Sequence, residues 1–129
     1  MKLREAAEAF KVLRELEHTK MPWAAALILY RAQEQLAEEA AFFARMEREL
    51  AEKYAEDGIG PDGSFRLREG NGESYLRERA ELCSLEVPFA RVRLPAMPEE
   101  LTPGQLAALA PAFDFPTEEA GPGEKEAAE

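Results

Sequence analysis

The chain has 129 residues, 46% hydrophobic and 33% charged, with a single cysteine and a formal net charge of −10. This mixture excludes wholesale disorder, and the length leaves room for one core rather than two. The charge balance excludes a nucleic-acid backbone or an anionic membrane as direct partner, because both recruit clustered Lys and Arg.

From Lys2 to about Glu17, the residues Leu3, Ala6, Ala7, Phe10, Leu13 and Leu16 recur at three-and-four spacing, which predicts an amphipathic helix. Pro22 breaks this helix and suits the start of the next, so His18 to Met21 reads as a tight turn in a helical hairpin. The second helix runs from Pro22 to about Glu56 and carries Leu29, Leu36, Phe43 and Leu50 seven residues apart, with Ala32, Ala40, Met46 and Tyr54 between them. At 1.5 Å per residue it spans about 50 Å, more than helix one can cover. Its first half, WAAALILY, is apolar on most faces, and Trp23, Leu27 and Tyr30 read as core against helix one. Its second half is laced with Arg45–Glu49, Arg48–Glu52 and Glu49–Lys53 pairs, the mark of a helix facing water on several sides.

The segment DGIGPDGS ends that helix, and REGNGES forms a second turn before a short helix over 74–82 that Ser74 or Glu73 would cap. From Leu85 to Leu94 the period changes to two, interrupted by Pro88, which predicts an edge strand. Phe65 to Leu67 is its expected antiparallel mate. Thr102-Pro103 opens a last short helix, GQLAALAPAF. Residues 1–113 thus read as one mainly helical α+β domain, a long hairpin with a small two-stranded β-ribbon and short C-terminal helices. Residues 114–129 hold six acidic residues against Lys125 and read as a disordered acidic tail.

No chemical motif emerges. Glu34 with Glu38 and Glu49 with Glu52 share helical faces, but the lone His18 cannot supply the histidines of a di-iron bundle site. The loop from Asp57 lacks the alternating carboxylates of a calcium loop, with Arg68 where its glutamate would stand. Gly58, Gly60, Gly63, Gly70 and Gly72 make no phosphate-binding fingerprint. Cys83 reads as a buried thiol, and Ser64, Ser74 and Ser84 have no hydrolase context. The expectation is a protein that is not an enzyme and carries no cofactor and no metal. No run approaches the ~20 apolar residues of a membrane span, and MKLREAAEAF lacks a signal core, so the expected location is the cytoplasm.

The turn at Met21-Pro22 before an alanine-rich helix, the helix end Leu50 to Tyr54, the element Glu81 to Val87 and the segment LTPGQLAAL together resemble a family of small uncharacterised proteins encoded by phages and prophages. The likeness spans about Leu3 to Phe113; Pro88 and the glycine-rich middle depart from it. The resemblance implies a viral setting and an accessory role without catalysis.

The resulting expectation is a protein-binding or assembly module that self-associates through the second half of the long helix. Phe42, beside Phe43 but turned about 100° from it, leads a candidate interface of Phe42, Phe43, Met46, Leu50 and Tyr54. The alternative is an acidic viral inhibitor that offers carboxylates to a basic host enzyme of transcription or defence. Salt separates the two, since it weakens charge pairing and leaves apolar association intact.

Overall fold

The computed structural model describes residues 1–116. It is mainly helical, with α1 (Leu3–Glu15), α2 (Trp23–Tyr54), α3 (Gly72–Cys83), β1 (Val92–Arg93), α4 (Pro103–Leu109) and β2 (Phe113–Asp114). Residues 117–129, most of the acidic segment, lie outside the described residues. Asp114, counted with that segment by composition, is the last residue of β2.

Helix α1 buries Leu3, Ala6, Ala9, Val12 and Leu13, and α2 presents Ala25, Leu29, Ala32, Leu36 and Phe43 to the same core. Alanines at 6, 9, 25 and 32 allow the two backbones to approach closely, while the leucines between them fill the seam. Glu5 accepts a 2.8 Å hydrogen bond from the Lys2 amide and so completes the first turn of α1. Helix α2 follows Pro22, which sits in extended backbone at its N-cap with φ −58°.

The strand pairing differs from the expected ribbon. Phe65 to Leu67 does not meet the 85–94 segment. It closes the end of α2: the Glu56 amide donates to the Arg66 carbonyl at 2.7 Å and the Arg68 amide to the Tyr54 carbonyl at 3.0 Å. An exposed helix end offers carbonyls with no partner inside the helix, and Arg68 satisfies two of them, that of Tyr54 through its amide and that of Lys53 through its guanidinium at 3.2 Å. Gly58 and Gly63, at φ +79° and +86°, turn the chain back to reach it. Residues 85–87 instead pair with the N-terminal segment, through Leu3 amide to Leu85 carbonyl at 2.7 Å and Val87 amide to Met1 carbonyl at 2.8 Å. Pro88, with no amide to offer, ends this ladder.

The two-stranded sheet is parallel, Val92 opposite Phe113 and Arg93 opposite Asp114. The connection contains α4, and a helical crossover of this kind is what a parallel pair requires. Thr102 caps α4 by accepting from the Gln105 amide at 3.1 Å while the Gln105 side chain accepts from the Thr102 amide at 3.0 Å. Arg91 then ties the far end together, donating to the Ala110 and Phe113 carbonyls at 2.7 and 2.9 Å and to Asp114 at 2.7 Å. The strand and helix together lower Leu94, Leu109, Ala112 and Phe113 into the core of α1 and α2. The short helices therefore divide, α4 on α1 and α3 on α2, rather than both lining the long helix.

Candidate functional site

The second half of α2 is less exposed than its charge pattern suggests. Phe43, Leu50 and Tyr54 of the expected interface are buried inside the chain, and Met46 is half-buried. Only Phe42 stays at the surface, 37% exposed, with the Arg45 guanidinium 5.6 Å from its ring centre. Within the chain, Phe43 packs into the core shared with α1, while α3 and the 65–68 segment lie over Leu50 and Tyr54. Neither covering element has a strong apolar period, so the covering was not readable from spacing alone.

Between α2 and α3 runs an open groove of about 460 Å³ lined by Met46, Glu49, Leu50, Lys53, Glu78, Glu81, Leu82 and Leu85. Along its rim the Tyr54 hydroxyl donates to Glu78, and the Lys53 ammonium reaches both Glu78 oxygens at 3.2 Å. Arg79 pairs with Glu47, and its guanidinium also lies 3.5 Å from the Cys83 sulfur. Tyr75 stands edge-on to Tyr54 and to Phe65, with ring centres 6.1 and 5.8 Å apart. Cys83 is half-buried rather than buried.

The Tyr54 hydroxyl, and after it the Lys53 ammonium, hold the Glu78 carboxyl below its usual range. The same contact pushes the Tyr54 phenol up, with burial adding to it, and Glu78 likewise pushes Lys53 up. Helix α3 has no buried residue, and these bonds join the Arg79–Glu47 pair, the Tyr75 ring contacts and the half-buried Leu82 and Cys83 in holding it to α2. A carboxyl depressed in the folded state stabilises above its ordinary value, and the contribution is lost as pH falls through the folded one. Amide-exchange protection of α3 is therefore expected to fall below about pH 4.5 while that of α1 holds, and Tyr54→Phe should remove most of this acid response. Simultaneous loss of protection in both helices would show that Glu78 is no tether.

Among the described residues no three His, Cys, Asp or Glu side chains converge as metal ligands. His18 is exposed in the turn after α1. Glu78 and Glu47 are engaged by cations of their own chain.

The largest departure from the sequence reading lies at the start of α2. Trp23, Leu27 and Tyr30, expected in the core, are 92%, 47% and 59% exposed. Spaced four and three residues apart, they form one stripe, on the side of α2 opposite Ala25, Leu29, Ala32 and Leu36. With apolar residues all around this stretch, periodicity could not choose the inward side. The small residues won, because α1 can approach alanines more closely than an indole and a phenol.

No helix among the described residues is long and apolar enough to cross a membrane. No family model matches the chain, and no curated protein or solved structure shows significant similarity to it.

Proposed function

We propose that the protein is a non-enzymatic protein-interaction module, in the phage or prophage setting that its resemblance implies, and that its working surface is the first two turns of α2. The observation that carries this reading is the Trp23–Leu27–Tyr30 stripe, three large apolar side chains exposed together on a rigid helix. Single exposed apolar residues are ordinary, but a contiguous patch of this kind marks an interaction site, and Trp and Tyr are the residue types that anchor interfaces. The acidic-inhibitor alternative has less support. Its support is the net charge of −10 alone, which a soluble protein of any function can carry.

The test is size fractionation of the chain as extracted from cells that produce it, beside the variant Trp23→Asp/Leu27→Asp. Both substitutions fall on exposed positions and leave the fold intact. The native chain should elute in a complex well above its own 14.4 kDa and the variant at the mass of one copy. Identical elution of the two would overturn the reading.

A further inference from the structure

The groove between α2 and α3 continues past the end of α3. At Leu85, which lines both, it meets a second hollow of about 340 Å³ between α2 and residues 85–88. One wall of the joined groove is α2 from Glu38 to Lys53, about 22 Å of helix. The other is α3 followed by the 85–88 segment. Phe42, Met46, Leu82 and Leu85 are apolar in this lining, and Leu85 is 49% exposed. The edges are acidic. Glu38, Glu39 and Glu86 stand at one end and Glu49, Glu78 and Glu81 at the other, against Lys53, the one basic side chain of the lining. Glu78 holds that lysine, the Met1 ammonium lies 3.7 Å from Glu86, and Arg45 rests over the Phe42 ring. Among the described residues, Glu38, Glu39, Glu49 and Glu81 form no ion pair.

We propose that this groove is a second docking surface, separate from the Trp23–Leu27–Tyr30 stripe and independent of it, and that its occupant is a basic amphipathic helix of another protein. On α2 the groove residues Glu38, Phe42, Met46, Glu49 and Lys53 recur at three-and-four spacing, the stripe against which a second helix lays its own apolar side. Lysines and arginines flanking that side meet the unpaired carboxylates and decide which partner is accepted. The same charge rejects other occupants. Residues 117–129 hold Glu118, Glu119, Glu124, Glu126 and Glu129 against Lys125, and a second copy brings a net charge of −10, so either sets carboxylates against carboxylates. A nucleic acid is repelled in the same way, and the apolar lining distinguishes the groove from an imitation of one.

The dimensions suit such a partner. A helical segment of about 16 residues is about 24 Å long, enough to pass Met46, Leu85 and Phe42 in turn. The two kinds of contact do different work: apolar burial supplies the attraction, and the acidic edges set orientation and speed of encounter. One helix in an open groove makes a small interface, so a reversible complex with a dissociation constant in about the micromolar range is the consequence.

Fluorescence anisotropy on the purified full chain tests this, with a labelled peptide of about 16 leucines and lysines whose leucines fall at three-and-four spacing. The salt is set at about 150 mM, where exposed charges more than about 8 Å away are largely screened. Saturable binding in about the micromolar range is expected, and a counterpart peptide with glutamates in place of the lysines should stay unbound. Leu85→Ser and Phe42→Ala should each weaken binding about tenfold, and E49K/E81K about fivefold or more. All four positions are exposed, and circular dichroism checks that each variant is folded. E99K/E100K makes the same change of net charge near the start of α2, where the Glu99 amide bonds to the Lys20 carbonyl, and should leave binding unchanged. Equal weakening by E99K/E100K means attraction to the acidic chain as a whole and overturns the proposal, as does a folded wild-type chain that fails to bind the lysine peptide at about 100 µM. Binding that survives Leu85→Ser but is lost in Trp23→Asp/Leu27→Asp puts the peptide on the stripe and overturns it too. A chain that associates with itself through Leu85 and excludes the peptide assigns the groove to a second copy, again against the proposal. None of these failures touches the Trp23–Leu27–Tyr30 reading, which has its own test.

Discussion

Phe113→Ala is expected to destabilise the protein by about 3–5 kcal/mol, the usual result of truncating a fully buried phenylalanine. Phe113 is the largest of the fully buried side chains, a group that also includes Leu36, Leu94 and Leu109. Its backbone is held in the parallel pair with Val92 and by Arg91, which donates to its carbonyl at 2.9 Å. The surroundings therefore cannot collapse easily into the vacated space, and most of the cavity term persists. Against a total stability of about 5–15 kcal/mol for a domain this size, the loss is a large fraction. The melting temperature followed by far-ultraviolet circular dichroism should drop by about 10–20 °C. A drop of only a few degrees would mean that the β1–α4–β2 unit packs loosely on the helical hairpin and contributes little to the core.

Leu50→Glu and Phe42→Glu form the second experiment, and their contrast is the informative part. Leu50 is buried beneath the α2–α3 groove, whose rim already carries Glu49, Glu78 and Glu81. A carboxylate there is desolvated and set among like charges, so a loss of about 3 kcal/mol or more is expected. The loss should shrink at acid pH as the introduced group takes up a proton. Phe42 is at the surface, and Phe42→Glu should shift stability by no more than about 0.5 kcal/mol. Paired thermal melts, with mass measured on the folded species, separate the possibilities. If Leu50→Glu melts like the wild type but changes the oligomeric mass, the second half of α2 is an interface after all and α3 does not seal it.

The helices were legible because their signals are local. Leu3 to Leu16 repeats at helical spacing, Pro22 punctuates, and Thr102-Pro103 with Gln105 spells out a cap that forms as written. The strands were not, for a physical reason. Val92–Arg93 and Phe113–Asp114 are two residues each, too short to carry a period, and their pairing is decided by where α4 leaves the chain. The Phe65 to Leu67 run has strand character, and its actual partner, the open end of α2, is not a strand and so gave no alternation to match. At the candidate site, the angle between Phe42 and Phe43 left Phe42 either exposed or covered by the helix over 74–82, and its ring remains at the surface. Trp23, Leu27 and Tyr30 could not, because WAAALILY is apolar in every direction and the choice of inward side depends on how closely α1 approaches. That choice is a tertiary fact, and it moved the exposed aromatic surface from the middle of α2 to its beginning.

The dispersal of core residues along the chain also sets an order of events during synthesis. Both long helices emerge from the ribosome before Leu94, Leu109 and Phe113, which complete the core they share, and before Val87, whose amide bonds to the Met1 carbonyl. The nascent hairpin must therefore wait with its inner seam only half covered while some sixty further residues are made, at about 5–20 residues per second. For several seconds the chain presents apolar surface on both sides of α2, the inner one temporary and the outer one permanent. High expression is thus hazardous to this protein chiefly before it is finished, and reducing the number of chains in synthesis at once, rather than the rate at which each is elongated, should raise its soluble yield.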